Sequence, residues 1–300
     1  MSGIRSICAN MLLAFFLLSC DGNKAADAGK KSPAQEAKKK KKDDWNKEAP
    51  STDIAIRQKW EVPAILKEVS GIAFLGNNQF ACVQDEAGVI FILNTSTGKI
   101  DKQVTFGAAA DYEGIAMVGR TAYVVRSEGK IFEVDNIDRK PPRIREYSTG
   151  LTKKNNVEGI AYDQKQNRLL LVIKGAEAGT KDYKGIYAFN LQTKKFVAEP
   201  VFKINLHDSL LANYKGENLN KALRPAEIAI DPVTGLIYLI EASNPQLFIL
   251  NNDGSLKLRY KLDETVFGQP EGLTFSPSGD LYISNEGKKE KGNILKVQLR

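Results

Sequence analysis

Three glutamates stand at equivalent positions in a repeated sequence block, and they are the residues best suited to bind a ligand. Each of Glu113, Glu158 and Glu271 precedes a glycine and a short apolar run. Carboxylates brought close together repel one another and raise each other's pKa unless a cation lies between them. A cluster of oxygen ligands without sulfur or imidazole suits a hard ion, so calcium is expected before magnesium. The sequence therefore predicts a metal site formed by these three glutamates.

Two other interpretations of the three glutamates stay open. They can be solvated or accept hydrogen bonds from backbone amides at a channel mouth, or they can pair with basic residues. Arg126 and Lys174 are expected at the same rim, where they would neutralise the carboxylates without a metal. The full set of further ligand candidates at the predicted rim is Ser70, Asp85, Arg126, Lys174, Glu241 and Asn285.

The elements that position these residues are five copies of one unit. The equivalent block positions are 70, 113, 158, 226 and 271, so that the spacings are 43, 45, 68 and 45 residues. Each block is followed by runs of Val, Ile, Phe and Tyr bounded by Gly, Asn and Asp, which are strand signals. Short strands that recur at this period are typical of a β-propeller. The long spacing has too few extra residues for another blade of roughly 40 residues, so an inserted helix or loop is expected between Leu206 and Leu223.

The ends of the repeat array predict how the ring closes. The fifth repeat stops after three strands at Arg300, and an unpaired strand is expected at residues 54–62, before the first repeat. An N-terminal strand that completes the last blade removes an exposed sheet edge. We therefore expect an all-β fold, a five-bladed propeller of four-stranded blades. The glycine after each glutamate is expected to have a steric role, since inner strands crowd together near the axis and leave little room for a side chain.

The N-terminal residues predict a lipid-anchored protein of the bacterial cell envelope. Arg5 precedes an apolar run at residues 11–18, which is too short to span a bilayer and fits a secretory signal peptide. The run ends in Leu17-Leu18-Ser19-Cys20, which resembles the lipobox of bacterial lipoproteins, so Cys20 is the expected lipidation site. Acyl chains on this cysteine would hold the protein at a membrane.

Three regions follow from this arrangement. They are a lipoprotein signal peptide at 1–19, a disordered lipid-anchored tether at 20–50 and the propeller at 51–300. The tether has no apolar periodicity and is rich in lysine, which is typical of disorder.

Composition and charge argue against nucleic-acid binding. The net charge is +7, but residues 21–50 hold nine lysines and six acids, so much of the excess lies in the tether. A basic face for DNA would need its charge clustered on the folded part. Cys82 is the one cysteine of the predicted fold and is expected to be a small buried hydrophobe. His207 is a single histidine, so zinc sites and a Ser-His-Asp arrangement find little support.

The repeated Glu-Gly-Ile-Ala blocks, the run Pro225-Ala226-Glu227-Ile228-Ala229-Ile230-Asp231-Pro232 and the lipoprotein N-terminus resemble one family. The chain is similar to the SdiA-regulated (YjiK-like) family of bacterial propellers over about residues 54–300. The resemblance implies a five-bladed propeller, a calcium site, distant kinship with NHL-repeat propellers and no settled biochemical activity.

Two classes of function are compatible with these features. The favoured hypothesis is a binding or scaffold module for an unknown small-molecule or protein ligand, with calcium as a structural ion and without established catalysis. The alternative is a calcium-dependent hydrolase of the lactonase, esterase or phytase-like type that acts on an anionic substrate, which rests on analogy between folds.

Overall fold

The computed structural model describes residues 48–288 and 290–300, which form a ring of twenty antiparallel strands. The predicted signal peptide, the lipidation site Cys20 and most of the predicted tether lie outside the described residues. No helix in the described part of the chain is long and apolar enough to cross a membrane.

The strands group into five sheets of four, which confirms the predicted five-bladed propeller. Blade one consists of β2 (Val69–Gly76), β3 (Gln79–Gln84), β4 (Val89–Asn94) and β5 (Lys99–Thr105). Blade two consists of β6 (Tyr112–Val118), β7 (Thr121–Arg126), β8 (Lys130–Asp135) and β9 (Arg143–Ser148). Blade three consists of β10 (Val157–Asp163), β11 (Arg168–Ile173), β12 (Tyr183–Asn190) and β13 (Lys195–Asn205). Blade four consists of β14 (Pro225–Ile230), β15 (Ile237–Glu241), β16 (Gln246–Leu250) and β17 (Leu256–Lys261).

Blade five closes the ring with strands from both ends of the repeat array. It joins β18 (Pro270–Phe275), β19 (Leu281–Asn285) and β20 (Asn293–Leu299) to the N-terminal strand β1 (Ile54–Glu61). β1 pairs antiparallel with β20, from Ile54 opposite Leu299 to Glu61 opposite Asn293. This pairing confirms the predicted closure and satisfies backbone groups that an open array would expose.

The hydrophobic core consists of five clusters, and each cluster lies between two neighbouring blades. The cluster between blades five and one holds Phe80, which meets Tyr282 edge to face with ring centroids 5.1 Å apart. Cys82 is buried in the same cluster and is free, as expected. Every blade packs against a neighbouring blade on both faces. The sequences of its middle strands are therefore continuous apolar runs and do not alternate between apolar and polar residues. Burial between blades is therefore what holds the ring together.

The long spacing between repeats three and four is an insertion at residues 206–223 and adds no blade. It contains two 3₁₀ turns, Ser209–Leu211 and Leu219–Lys221, each begun by a side chain that accepts a backbone N–H bond. A third 3₁₀ turn, Ala64–Leu66, leads from β1 into blade one. The expected inserted helix or loop is thus a loop with short helical turns.

Glu48 contacts the propeller, although it lies within the predicted tether at residues 20–50. The guanidinium of Arg259 on β17 donates to both carboxylate oxygens of Glu48, at 2.9 and 2.6 Å. Ser51 continues the contact, since its backbone N–H donates to the carbonyl of Lys261 at 2.8 Å. The chain therefore arrives at the ring along the outer strand of blade four.

Candidate functional site: the acidic channel mouth

A β-bulge at the start of every inner strand sets the geometry of the channel mouth. In each blade the pairing of the first two strands skips one residue of the inner strand. The five skipped residues are Ser70, Glu113, Glu158, Ala226 and Glu271. A bulge bends its strand and re-aims the side chain of the extra residue. The five positions aligned in the sequence are therefore structurally equivalent.

Crowding at the axis explains the glycine that follows most of these bulges. A Cβ at Gly71 would lie 2.8 Å from the Cα of Gly114, and one at Gly272 would lie 3.1 Å from the backbone nitrogen of Ile72. Both distances are shorter than ordinary van der Waals contact. The steric role predicted for these glycines is confirmed, since a side chain would push neighbouring inner strands apart.

The three predicted glutamates lie close enough to interact electrostatically. Burial and, next, the carboxylate of Glu158 together raise the pKa of Glu113 to about 10. Burial also raises the pKa of Glu158 to about 7, with Glu271 acting in the same direction. The pKa of Glu271 is raised by burial as well. Ionisation of all three buried carboxyl groups at once is therefore unfavourable.

One ammonium group, that of Lys174, opposes this repulsion. Its Nζ lies 2.7 Å from Oε2 of Glu158, and it lowers the pKa of all three glutamates. Burial alone would lower the pKa of Lys174, but the attraction of Glu158, Glu271 and Glu113 outweighs it and raises that pKa. The pairing with Lys174, one of the open alternatives in the sequence, is therefore present in the structure.

Amide side chains complete the hydrogen bonding of two glutamates in the ring. Asn156 donates to Oε1 of Glu158. Gln269 donates through Nε2 to Oε1 of Glu271 at 3.2 Å and also to Oε2 of Glu286. Burial raises the pKa of Glu286 to about 7, and Glu271 contributes in the same direction. Glu286 thus extends the acidic cluster beyond the residues that the sequence singled out.

Asp85 belongs to the same acidic surface, as the sequence suggested. Burial raises its pKa, and the neighbouring carboxylates of Glu68 and Glu86 add to the shift. Its Oδ1 is buried and has no hydrogen-bond partner among the described residues. A buried acceptor of this kind is available to a ligand.

The other predicted rim residues make contacts outside the ring of carboxylates. Ser70 donates to the backbone carbonyl of Tyr112 at 2.7 Å, which ties blade one to blade two. Arg126 pairs with Glu128 at 2.8 Å, and its guanidinium lies 5.8 Å from the centre of the Tyr112 ring. Asn285 donates to the side chain of Asn293 at 3.0 Å. These three side chains stabilise the rim of the ring.

Glu241 lies in a separate buried polar cluster of blade four. It accepts a hydrogen bond from Gln246 at 3.2 Å and another from Ser243 at 3.4 Å. Burial raises its pKa to about 8, and Arg224 acts against this shift. Glu241 thus contacts residues of blade four and interacts with Arg224.

Glu227 is the channel residue that sequence alignment missed. It occupies the position that glycine holds in the other four blades, and its side chain is fully buried. Its Oε1 accepts N–H bonds from Ile160 at 2.7 Å and Ile228 at 2.9 Å, while Oε2 has no partner among the described residues. Burial raises its pKa well above the ordinary value, although the N–H bonds from Ile228 and Ile160 act against this shift. The replacement of Glu-Gly by Ala-Glu in blade four was the available signal.

The predicted calcium site can be compared with this arrangement. The donors are hard oxygen ligands, as calcium requires. However, no group of three or more His, Cys, Asp or Glu within residues 48–288 and 290–300 is arranged to hold a metal ion. The ammonium of Lys174 supplies the local positive charge instead. The residues as arranged do not form a calcium cage, and calcium binding stays a prediction.

The fold and this channel mouth define the class of protein as a five-bladed propeller with an acidic axial site. The sequence matches the SdiA-regulated family over residues 46–289. The chain therefore belongs to the SdiA-regulated family. No curated protein gives a significant match.

Two solved structures are similar to this chain in fold. Glutaminyl cyclase from Myxococcus xanthus has a TM-score of 0.56 and 14% identity, covering 82% of this chain and 97% of the cyclase. A protein of unknown function from Bacteroides thetaiotaomicron has a TM-score of 0.50 and 13% identity, covering 83% of this chain and 73% of that protein. At these identities the likeness extends to the propeller fold alone.

Proposed function

We propose that this protein is a lipid-anchored binding module of the bacterial cell envelope, and that its channel mouth binds a cationic ligand. The observation that supports the ligand class is the excess of carboxylates around Lys174. Glu113, Glu158 and Glu271 are largely withdrawn from water, and each of them interacts electrostatically with the ammonium of Lys174. A second positive charge would lower the free energy of the ionised ring.

Calcium and an organic ammonium are the two cations to compare. Calcium is the ion that the sequence and the family resemblance imply. An organic ammonium is supported by the structure, because the ring already accepts the ammonium of Lys174 at hydrogen-bond distance. A ligand amine could interact with the carboxylates that Lys174 does not neutralise.

Titration of the mature protein in detergent with calcium, magnesium and putrescine tests the proposal. We expect one of these cations to bind saturably and to raise the melting temperature, because a ligand that binds only the folded state stabilises it. Glu113→Gln and Glu158→Gln should weaken that binding, whereas Glu199→Gln, on the exposed face of β13, should not. Binding by calcium would support the metal site, and binding by putrescine alone would support the organic ligand. Absence of binding by all three would overturn the proposal.

The envelope anchor has a test of its own. In the native host, the wild-type protein is expected in the membrane fraction and the detergent phase, and Cys20→Ala is expected in the aqueous phase. A Cys20→Ala variant that still partitions with detergent would exclude lipidation at this cysteine. This result is independent of the channel mouth.

One observation favours the hydrolase as a second candidate. A carboxyl group with a pKa of about 7, as for Glu158, is suited to general acid–base catalysis at neutral pH. Anionic, neutral and cationic esters and lactones are the substrates to assay. Turnover that is lost in Glu158→Gln but kept in Glu199→Gln would favour an enzyme. Inactivity on these substrates would leave the binding module.

A further inference from the structure

Carboxylates also line the loops of blades five, one and two, on the same face of the ring as the channel mouth. Each precedes the start of an inner strand or follows the end of a second strand, within two residues: Glu68, Asp85, Glu86, Asp111 and Glu286. Glu68, Glu86 and Asp111 are exposed, and the other two are half-buried. We call these five residues the rim carboxylates.

The rim carboxylates form one surface because backbone hydrogen bonds join the loops that carry them. The N–H of Tyr112 donates to the carbonyl of Asp85 at 3.1 Å, which joins the loops of blades one and two. The N–H of Gly287 donates to the carbonyl of Lys67 at 2.7 Å, which joins the loops of blades five and one. Every rim carboxylate is one of these four residues or a sequence neighbour of one.

This surface is continuous with the ring of glutamates. The side chain of Gln269 donates both to Glu271 of the ring and to Glu286 of the rim. Burial raises the pKa of Glu113, and the carboxylate of Asp111 on the rim adds to this shift. The channel mouth and the rim carboxylates therefore act as one area of negative charge that spans several blades.

The nearby ammonium groups do not balance this charge. Among the described residues, Lys67, Lys174 and Lys288 lie in or beside the surface, and the carboxylates of the rim and the ring outnumber them. Lys288 also donates to the backbone carbonyl of Gly268 at 3.0 Å. An extended surface with an excess of negative charge attracts an extended polycation, since a single ion compensates only part of it.

The chain itself contains such a polycation. Residues 38–42 are five consecutive lysines, and they precede Glu48 by six to ten positions. They lie outside the described part of the chain. Charge complementarity therefore identifies an occupant for the acidic surface within the same protein.

The described chain begins on the face of the ring that carries the mouth. Oε2 of Glu48 accepts a hydrogen bond from the side chain of Asn213, in the insertion, at 3.4 Å. The insertion leads into the inner strand β14, and every inner strand starts at the mouth, so the insertion lies on that face. The salt bridge between Glu48 and Arg259, with an N–O distance of 2.6 Å, holds the chain there.

The distance from Glu48 to the mouth is short enough for the lysines to reach it. An extended chain covers at most about 20 Å from residue 48 back to residue 42, and about 34 Å back to residue 38. The inner strand of a blade lies three strand spacings, about 14 Å, from its outer strand. The lysines can therefore contact the mouth and the rim while Glu48 stays bound to blade four.

We propose that the five lysines at residues 38–42 dock on the channel mouth and the rim carboxylates of their own chain, where they compete with the cationic ligand. The short connection to Glu48 gives them a high effective concentration at this surface. Many of the charges are partly exposed, so salt weakens the docking. The competition, though not the docking itself, rests on the cation binding proposed above.

Paramagnetic relaxation enhancement tests the docking in the chain from residue 20 that carries Cys20→Ala. Cys82 is buried, so a nitroxide reagent attaches selectively to the new thiol of Gln35→Cys. We expect this label to broaden the amide signals of Asp111 and Gly287. The broadening should disappear at high salt and when all five lysines at residues 38–42 are changed to Gln.

Two matched controls and a rim variant complete this experiment. Glu68→Gln/Asp111→Asn should reduce the broadening, whereas Glu146→Gln/Glu199→Gln, which removes two exposed acids from outer strands, should not. In the tether, Lys24→Gln/Lys30→Gln/Lys31→Gln should leave the broadening in place.

Two results would overturn the docking. One is an absence of broadening at the rim, or broadening that persists without the five lysines. The other is a lysine run that binds vesicles containing phosphatidylglycerol but never broadens the rim, because the lysines would then serve the lipid surface.

Titration with calcium and putrescine separates the docking from the proposed ligand site. The variant without the five lysines should bind the cationic ligand about fivefold more tightly, the factor expected when about four fifths of the molecules hold the mouth occupied. Equal affinity, with broadening still present in the wild type, would overturn the competition and leave the ligand site standing. Broadening without binding of either cation would support the docking and overturn the ligand site.

Discussion

Blades three and four place the same chemical group in different surroundings at the channel axis. Blade three carries its glutamate at the bulge, where Glu158 lies at the rim beside Lys174. Blade four carries its glutamate one position later, where Glu227 is fully buried and accepts two backbone N–H bonds. Burial raises the pKa of Glu158 to about 7, and complete burial raises the pKa of Glu227 well above its ordinary value. Position along the inner strand therefore determines the role of a carboxyl group here.

The largest expected effect tests the contact between these two blades. In Gly159→Ala the new Cβ would lie 2.3 Å from Oε1 of Glu227 and 2.7 Å from its Cα. Since the backbone of blade four would have to move, we expect a loss of about 3 kcal/mol in the free energy of unfolding. Denaturant titration measures this loss. Gly268→Ala is the control, because its nearest atom is the carbonyl oxygen of Glu264 at 3.8 Å. Equal stability of both variants would show that the axis is not crowded.

Substitution of Lys174 tests the role of Glu158, the glutamate of blade three. Lys174→Met leaves Glu158 buried without its ion-pair partner, which costs about 3 kcal/mol in typical buried pairs. We expect lower stability at pH 8 in denaturant titration, with most of the loss recovered in Lys174→Met/Glu158→Gln. Lys257→Met, on the exposed side of β17, should change stability little. A double variant that is no more stable than Lys174→Met would mean that Lys174 does not act through Glu158.

Substitution of Glu227 tests the role of the glutamate of blade four. Glu227→Ala leaves the N–H of Ile160 without its acceptor, at an expected cost of about 2 kcal/mol. Glu227→Gln keeps an acceptor oxygen for the N–H groups of Ile160 and Ile228, so it should be more stable than Glu227→Ala. A thermal or denaturant melt distinguishes these cases. A Glu227→Gln variant that is no more stable than Glu227→Ala would contradict a role for this side chain as an acceptor of backbone N–H bonds.

The smallest expected effect concerns pH. The pKa of Glu113 in the folded protein is about 10, above its ordinary value of 4.5, so the folded state binds more protons than the unfolded state. Without a bound cation, stability should therefore fall as pH rises above about 4.5 and continue to fall toward pH 10. Glu113→Gln should be more stable than the wild type at pH 8 and should flatten this slope, because it has no carboxyl group that the folded state must keep protonated. Melting temperatures between pH 5 and pH 9 measure the difference, and a slope that Glu113→Gln leaves unchanged would contradict it.

The sequence by itself determined the fold of this protein because the propeller is built from a local pattern. Each blade repeats a glycine-containing block and short strands, so five copies and an unpaired N-terminal strand were sufficient to predict the closed ring. The equivalent positions of Glu113, Glu158 and Glu271 followed from the same repeat. Membership of the SdiA-regulated family was visible in these blocks for the same reason.

Only the tertiary structure decided what those side chains contact. Glu241 accepts hydrogen bonds from Gln246 and Ser243 within blade four, whereas Glu227 accepts the backbone N–H of Ile160 on blade three. The pairing of Lys174 with Glu158 and that of Arg126 with Glu128 became visible only in the folded structure. The repeat in the sequence determines the position on the inner strand from which each side chain projects. Which charges and backbone groups surround its end is set by the neighbouring blades, whose residues are distant in sequence.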